Sequence, residues 1–86
     1  MTFEDKLAEI RRRVEAFAAE RGYVLSENRE NILADLVRMH DRFGDFYCPC
    51  QMGNTPDTLC VCTAAQNGLV EAEGACFCYL ITLPER

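Results

Sequence analysis

Residues 45–62 read DFYCPCQMGNTPDTLCVC, and residues 76–78 add CFC. Three Cys-x-Cys pairs therefore fall in the C-terminal half of an 86-residue chain that holds six cysteines in all. Pro49, Pro56, Gly53-Asn54 and Asp57 make the first stretch a loop, because these residues favour turns over helix or strand. The cysteines thus sit on loops, and the rest of the chain must position those loops. At this length a hydrophobic core is thin and commonly needs a covalent or metal staple.

Working outward, the chain reads as one domain, 1–86, with a helical half at 1–44 and a cysteine half at 45–86. Phe3, Leu7, Ile10, Val14 and Phe17 recur every three or four residues, which predicts a helix over 3–22. Thr2 is its N-cap, with Asp5 three residues on as a capping-box partner, and Gly22 is its stop. Tyr23 to Leu25 read as a short connection. Ser26 caps a second helix over about 27–43, with Ile32, Leu33, Leu36, Val37, Met39 or His40, and Phe43 on its apolar side. Gly44 ends it, and the short link makes the two helices antiparallel neighbours. Residues 63–75 hold one short helical turn. Tyr79, Ile81 and Leu83 alternate, which suggests a brief extended close and no sizeable sheet. The expected fold is small and mostly α: two N-terminal antiparallel helices, with cysteine-bearing loops and short helices wrapped around a metal centre.

The net charge is −5. Nucleic-acid binding is disfavoured, since phosphate contacts need a basic surface. Arg11-Arg12-Arg13 is the one basic cluster and reads as a solvated helix face. The opening MTFEDKLAEI is charged, with no signal-peptide core, and no apolar run spans a bilayer. The expectation is a cytoplasmic protein with no membrane partner. In that compartment structural disulfides are rare, and paired cysteines hold metal or exchange electrons.

Zinc sites of four cysteines usually use Cys-x-x-Cys, which this chain lacks. Four thiolates satisfy a [4Fe–4S] cluster, and two remain for a reversible dithiol. A two-zinc site with shared thiolates, or zinc with spare cysteines, stays open. Counting does not choose the four ligands.

The ordered set YCPC, LCVC and ACFCYLITLP, each on its place in the chain, resembles the catalytic beta subunit of ferredoxin:thioredoxin reductase. The likeness covers nearly the whole chain: a helix ending in glycine, a second helix carrying a histidine, then a glycine shortly before Cys-Pro-Cys. The resemblance implies an enzyme, a ferredoxin-dependent disulfide reductase with a [4Fe–4S] cluster. It implies Cys48, Cys60, Cys62 and Cys76 as cluster ligands. It implies Cys50 and Cys78 as the redox-active disulfide, with Cys50 solvent-facing and Cys78 beside the cluster. The implied partners are a ferredoxin-type electron donor, a thioredoxin-like or other disulfide substrate, and a possible second subunit. The rival readings are a non-enzymatic zinc- or cluster-binding module and a simple electron-transfer protein.

This chain departs from the family pattern in three ways. Val61 replaces a proline in the middle motif, the spacers differ, and Phe77 stands where the family has histidine. The last departure removes a proton-transfer group, for which His40, Asp45, Asp57 or water are substitutes. Pro49 stiffens its loop and helps hold the two sulfurs of its motif apart. Met52 and Tyr79 are expected to cover the cluster, Asp57 to serve a turn, and Arg38 and Arg42 to offer an acidic donor a basic patch.

Overall fold

The structure is a computed structural model that describes residues 2–51 and 53–84. Met52, expected to cover the cluster, lies outside the described residues. Helix α1 spans Phe3–Arg21. Both halves of its capping box form: the Asp5 N–H donates to Thr2 Oγ1, and the Thr2 N–H donates to Asp5 Oδ2. Gly22 closes it at φ 74°, a left-handed geometry that costs glycine nothing because it has no Cβ.

Helix α2 spans Arg29–Phe43, two residues shorter at its start than the sequence suggests. Ser26 does not cap it. Asn28 occupies the N-cap position, and the Ser26 carbonyl instead accepts from the Arg29 N–H and Nε. The segment read as a plain connection is a strand. β1, Val24–Leu25, pairs antiparallel with β2, Ile81–Thr82, in the register Val24↔Thr82 and Leu25↔Ile81. This pairing ties the end of α1 to the end of the chain. A 3₁₀ turn at Pro56–Thr58 and two short helices follow, α3 at Thr63–Gln66 and α4 at Leu69–Glu73, where one turn was expected.

Lys6 near the start of α1 pairs with Asp41 near the end of α2, and Arg11 pairs with Glu30 in the first turn of α2. The two helices therefore run antiparallel. Their contact buries Ile10, Val14 and Ala18 from α1 against Leu33, Leu36 and Val37 from α2. Phe3 and Phe43, at the outer ends of the predicted stripes, are exposed instead. The cysteine half adds Phe46, Ala65, Val70, Leu80 and Ile81 to the same core. Apolar burial is the main favourable term in folding, so the helix pair forms a platform and the cysteine loops fold onto it. Tyr23 fastens this arrangement: its ring is buried, and its hydroxyl donates to Glu71 on α4.

The predicted alternation at the chain end does not hold. Leu80 and Ile81 are both buried, while Tyr79 and Leu83 are exposed. A tight turn causes the break: the Tyr79 N–H donates to the Cys76 carbonyl at 3.0 Å, and Tyr79 adopts φ 57°. Among the described residues no helix is long and apolar enough to cross a membrane.

Candidate functional site: a cavity walled by cysteines

Two backbone pairings bring the cysteine loops together. The Cys48 N–H donates to the Thr58 carbonyl at 2.6 Å, and the Cys60 N–H donates to the Phe46 carbonyl at 2.8 Å, around an antiparallel Tyr47–Leu59 bridge. This ladder sets the first motif beside the second. The third is held by the Cys76 N–H, which donates to the Ile81 carbonyl at 2.9 Å, next to an Ala75–Thr82 bridge. Cys62 caps the start of α3 with extended backbone. Each cysteine pair thus hangs from a backbone hydrogen bond and not from a regular element.

Cys48, Cys60, Cys62, Cys76 and Cys78 line one small cavity of about 20 Å³, and Cys50 is absent from its wall among the described residues. Cys50 is the exposed cysteine, Cys48 and Cys62 are buried, and the other three are half-buried. The remaining wall is apolar: Ile32 and Leu36 from α2, with Val61, Ala65, Leu80 and Ile81. Burial pushes the Cys60 thiol up, and the neighbouring Cys48, Cys76 and Cys62 add to the rise by like-charge repulsion. Cys60 therefore has the other three as neighbours, and all four line the one cavity.

All six cysteines are free thiols. Cys48 Sγ and Cys78 Sγ stand 3.1 Å apart and share a hydrogen bond. That bond lowers the Cys48 thiol and raises the Cys78 thiol, as expected of two groups sharing one proton. Burial and the Cys50 thiol raise Cys78 further, so both Cys48 and Cys50 are neighbours of Cys78.

Three features stabilise negative sulfur here. The Ile81 N–H donates to Cys76 Sγ at 3.4 Å. The nearby backbone N–H groups of Cys50 and Gln51 help hold the Cys48 thiol down, while the Gln51 N–H itself donates to the Cys48 carbonyl at 3.4 Å. Arg13, expected to be a solvated helix-face residue, reaches across from α1: its guanidinium lies 5.4 Å from the Phe46 ring centroid and donates to the Cys60 carbonyl at 3.5 Å. Arg13 also pairs with Glu9, which Arg12 shares, and Arg11 pairs with Glu30. Gln51 Nε2 is buried without a well-formed hydrogen bond, although the amide is near enough to the Cys48 sulfur to act on it. Among the described residues no three His, Cys, Asp or Glu side chains are arranged to hold a single metal ion.

This donor set fits a multinuclear iron–sulfur group. The thiolates ring a space and do not converge on one point. The walls are apolar, the Ile81 N–H donates to Cys76 Sγ, and the buried Gln51 amide stands near the Cys48 sulfur. Such hydrogen bonds and burial are the protein's means of tuning a cluster.

Other sequence-predicted residues fall elsewhere. The Tyr79 ring is exposed and is not part of the cysteine cavity wall, so it does not cover the site. His40 packs on Phe46 with centroids 4.7 Å apart, outside that wall, and its Nδ1 is buried without a partner among the described residues. Asp45 accepts from the Phe46 N–H, and Asp57 accepts from the Thr63 hydroxyl, so both serve turns. Arg38 pairs with Asp35, and Arg42 lies over the Phe43 ring. Sequence reasoning missed Arg13 and the wall residues Ile32 and Leu36. The last two carry only the ordinary signal of core positions.

The family model of the ferredoxin thioredoxin reductase catalytic beta chain matches residues 1–86, the whole chain. No curated protein and no solved structure matches. The chain belongs to the ferredoxin thioredoxin reductase catalytic beta chain family.

Proposed function

We propose that this family member is an iron–sulfur disulfide reductase. It takes electrons from a ferredoxin-type donor and delivers them, by thiol–disulfide exchange, to a thioredoxin-like or other disulfide. Cys48, Cys60, Cys62 and Cys76 would hold a [4Fe–4S] cluster in the cavity. When bound, that group supplies one-electron transfer between a single-electron donor and a two-electron disulfide.

The observation that carries the reading is the division of the six cysteines. Five line the cavity and Cys50 faces solvent, while Cys78 touches Cys48 and feels Cys50 as a second neighbour. An exposed thiol is accessible for attack on a target, and a neighbouring thiol is in place to resolve the product. The Cys50 thiolate attacks one sulfur of the target disulfide and displaces the other, which takes a proton. Cys78 then attacks Cys50 in the mixed disulfide. This releases the second target thiol and leaves a Cys50–Cys78 disulfide. Two electrons and two protons return that pair to thiols. Water reaches Cys50 directly, so it is the nearest proton source for the exposed member. Among the described residues His40 packs on Phe46 and is not part of the cysteine cavity wall.

The 3.1 Å Cys48–Cys78 contact favours a second reading of the pair, in which Cys48 is the redox partner of Cys78. Iron and acid-labile sulfide per anaerobically purified chain test the cluster. Mass mapping of the disulfide in the oxidised holoprotein then separates the pairings. The first reading expects iron, sulfide and a Cys50–Cys78 bridge. Iron-free, zinc-loaded protein would overturn the reductase assignment.

A further inference from the structure

Among the described residues Tyr79 alone, glycines aside, has a positive φ, at 57°. Its ring is 68% exposed. The chain thus holds a bulky residue in a disfavoured backbone region in order to place an aromatic in water. Backbone strain of this kind clusters at functional sites. Tyr79 directly follows Cys78, and the half-exposed Phe77 precedes it.

The Tyr79 ring is a ridge between two grooves. One is lined by Leu69, Glu73, Ala75, Cys76 and Phe77, and the other by residues 24–28 with Thr82 and Leu83. Cys76 and Phe77 belong both to the first groove and to the cysteine cavity, so a molecule seated there stands against the site. Val24 and Leu83 extend the exposed apolar surface on the far side. The charges are one-sided. Glu73 is the one charged residue lining the first groove and Glu27 the one lining the second, and neither groove has a cation among the described residues.

We propose that the Phe77–Tyr79 ridge, with Glu73 and Glu27 at its sides, docks a protein disulfide whose flank carries an apolar side chain next to lysine or arginine. This rests on the reductase reading and names the class of target. An aromatic ridge between pockets is the usual anchor of a binding surface, and flanking charges select the partner and speed its approach.

The test uses the holoprotein with a chemical one-electron reductant and three substrates. Two are disulfide-cyclised peptides that differ only in a Leu-Lys-Lys or Leu-Glu-Glu flank, and the third is 2-hydroxyethyl disulfide. The Lys-flanked peptide is expected to show about tenfold higher kcat/KM than the Glu-flanked one at low salt, with the gap closing as salt rises. Tyr79→Gly, which suits the left-handed backbone, should raise KM for the Lys-flanked peptide about tenfold and leave 2-hydroxyethyl disulfide reduction unchanged. Glu73→Gln should narrow the preference. NMR titration of both peptides, read at residues 77 and 79, reports docking whether or not the disulfide is reduced. Equal binding of the two peptides would overturn the proposal, as would self-association of the chain through Tyr79. Failure to reduce 2-hydroxyethyl disulfide at all would count against the reductase reading, and the titration would still judge the surface.

Discussion

Replacing Tyr79 by glycine should make the protein more stable. A non-glycine residue in the left-handed region costs roughly 1–2 kcal/mol through the close approach of Cβ to the carbonyl oxygen. Glycine removes that clash but adds freedom to the unfolded chain, which offsets roughly 0.4–1 kcal/mol. The ring is 68% exposed, so its removal forfeits little buried apolar surface. The turn survives, because its hydrogen bond from the residue 79 N–H to the Cys76 carbonyl is backbone only. The net gain is about 0–1.6 kcal/mol, centred on ~0.8, and a domain of this size shifts its Tm by about 4–8 °C for each kcal/mol. Tyr79→Ala is the control. It removes the same ring yet keeps a Cβ in the left-handed region, so it should show no such gain. The assay is thermal unfolding followed by circular dichroism, with all three proteins in the same metal state. A Tm that falls by several degrees in Tyr79→Gly would refute the reasoning, since the ring would then be supplying contacts that outweigh the strain.

Three further outcomes follow from the same geometry. Cys60→Ser should lose most of its bound iron and much of its folded structure, because it removes a thiol from the cavity wall and metal binding couples to folding in small metalloproteins; iron assay and circular dichroism on the same preparation check both. Iodoacetamide should label Cys50 well ahead of Cys60 in the reduced protein, since Cys50 is exposed and burial raises the Cys60 thiol; timed peptide mapping reads the order. Thr2→Ala should destabilise the chain by about 1 kcal/mol through loss of the α1 capping box, measured as a shift in the urea midpoint at unchanged slope.

How much of this was legible in the sequence depends on whether the signal was local. α1 was read almost to the residue because its apolar spacing, Thr2 cap and Gly22 stop all lie within one continuous stretch. β1 was not legible. A two-residue strand has no periodicity of its own, and Val24–Leu25 becomes one only by pairing with Ile81–Thr82 at the other end of the chain. The start of α2 was misplaced because Ser26 is a good cap by residue type, yet its carbonyl is drawn into the preceding turn while its N–H donates to the Leu80 carbonyl. The same limit applies to the site. The cysteine motifs marked which residues matter. They did not mark Arg13, whose reach to Cys60 depends on the packing of α1, or the left-handed turn that sends Tyr79 outward.

Phe77 links these observations. An imidazole at that position would stand where it could pass protons to a thiol, whereas a phenyl ring can only pack. In this chain the ring is half-exposed and forms part of both the cysteine cavity and the outer groove. It therefore stands at the edge between the redox site and the surface that would receive a partner. Proton supply does not need that position if the thiol that meets the target is already in water, and Cys50 is exposed. The residue between the last two cysteines is then free to serve recognition. With Tyr79 two positions on, it presents two aromatic rings around Cys78 on a surface whose nearest groove-lining charges are carboxylates. On this argument the loss of the imidazole and the exposed ridge are two parts of one change, from a residue that moves protons to a surface that selects partners.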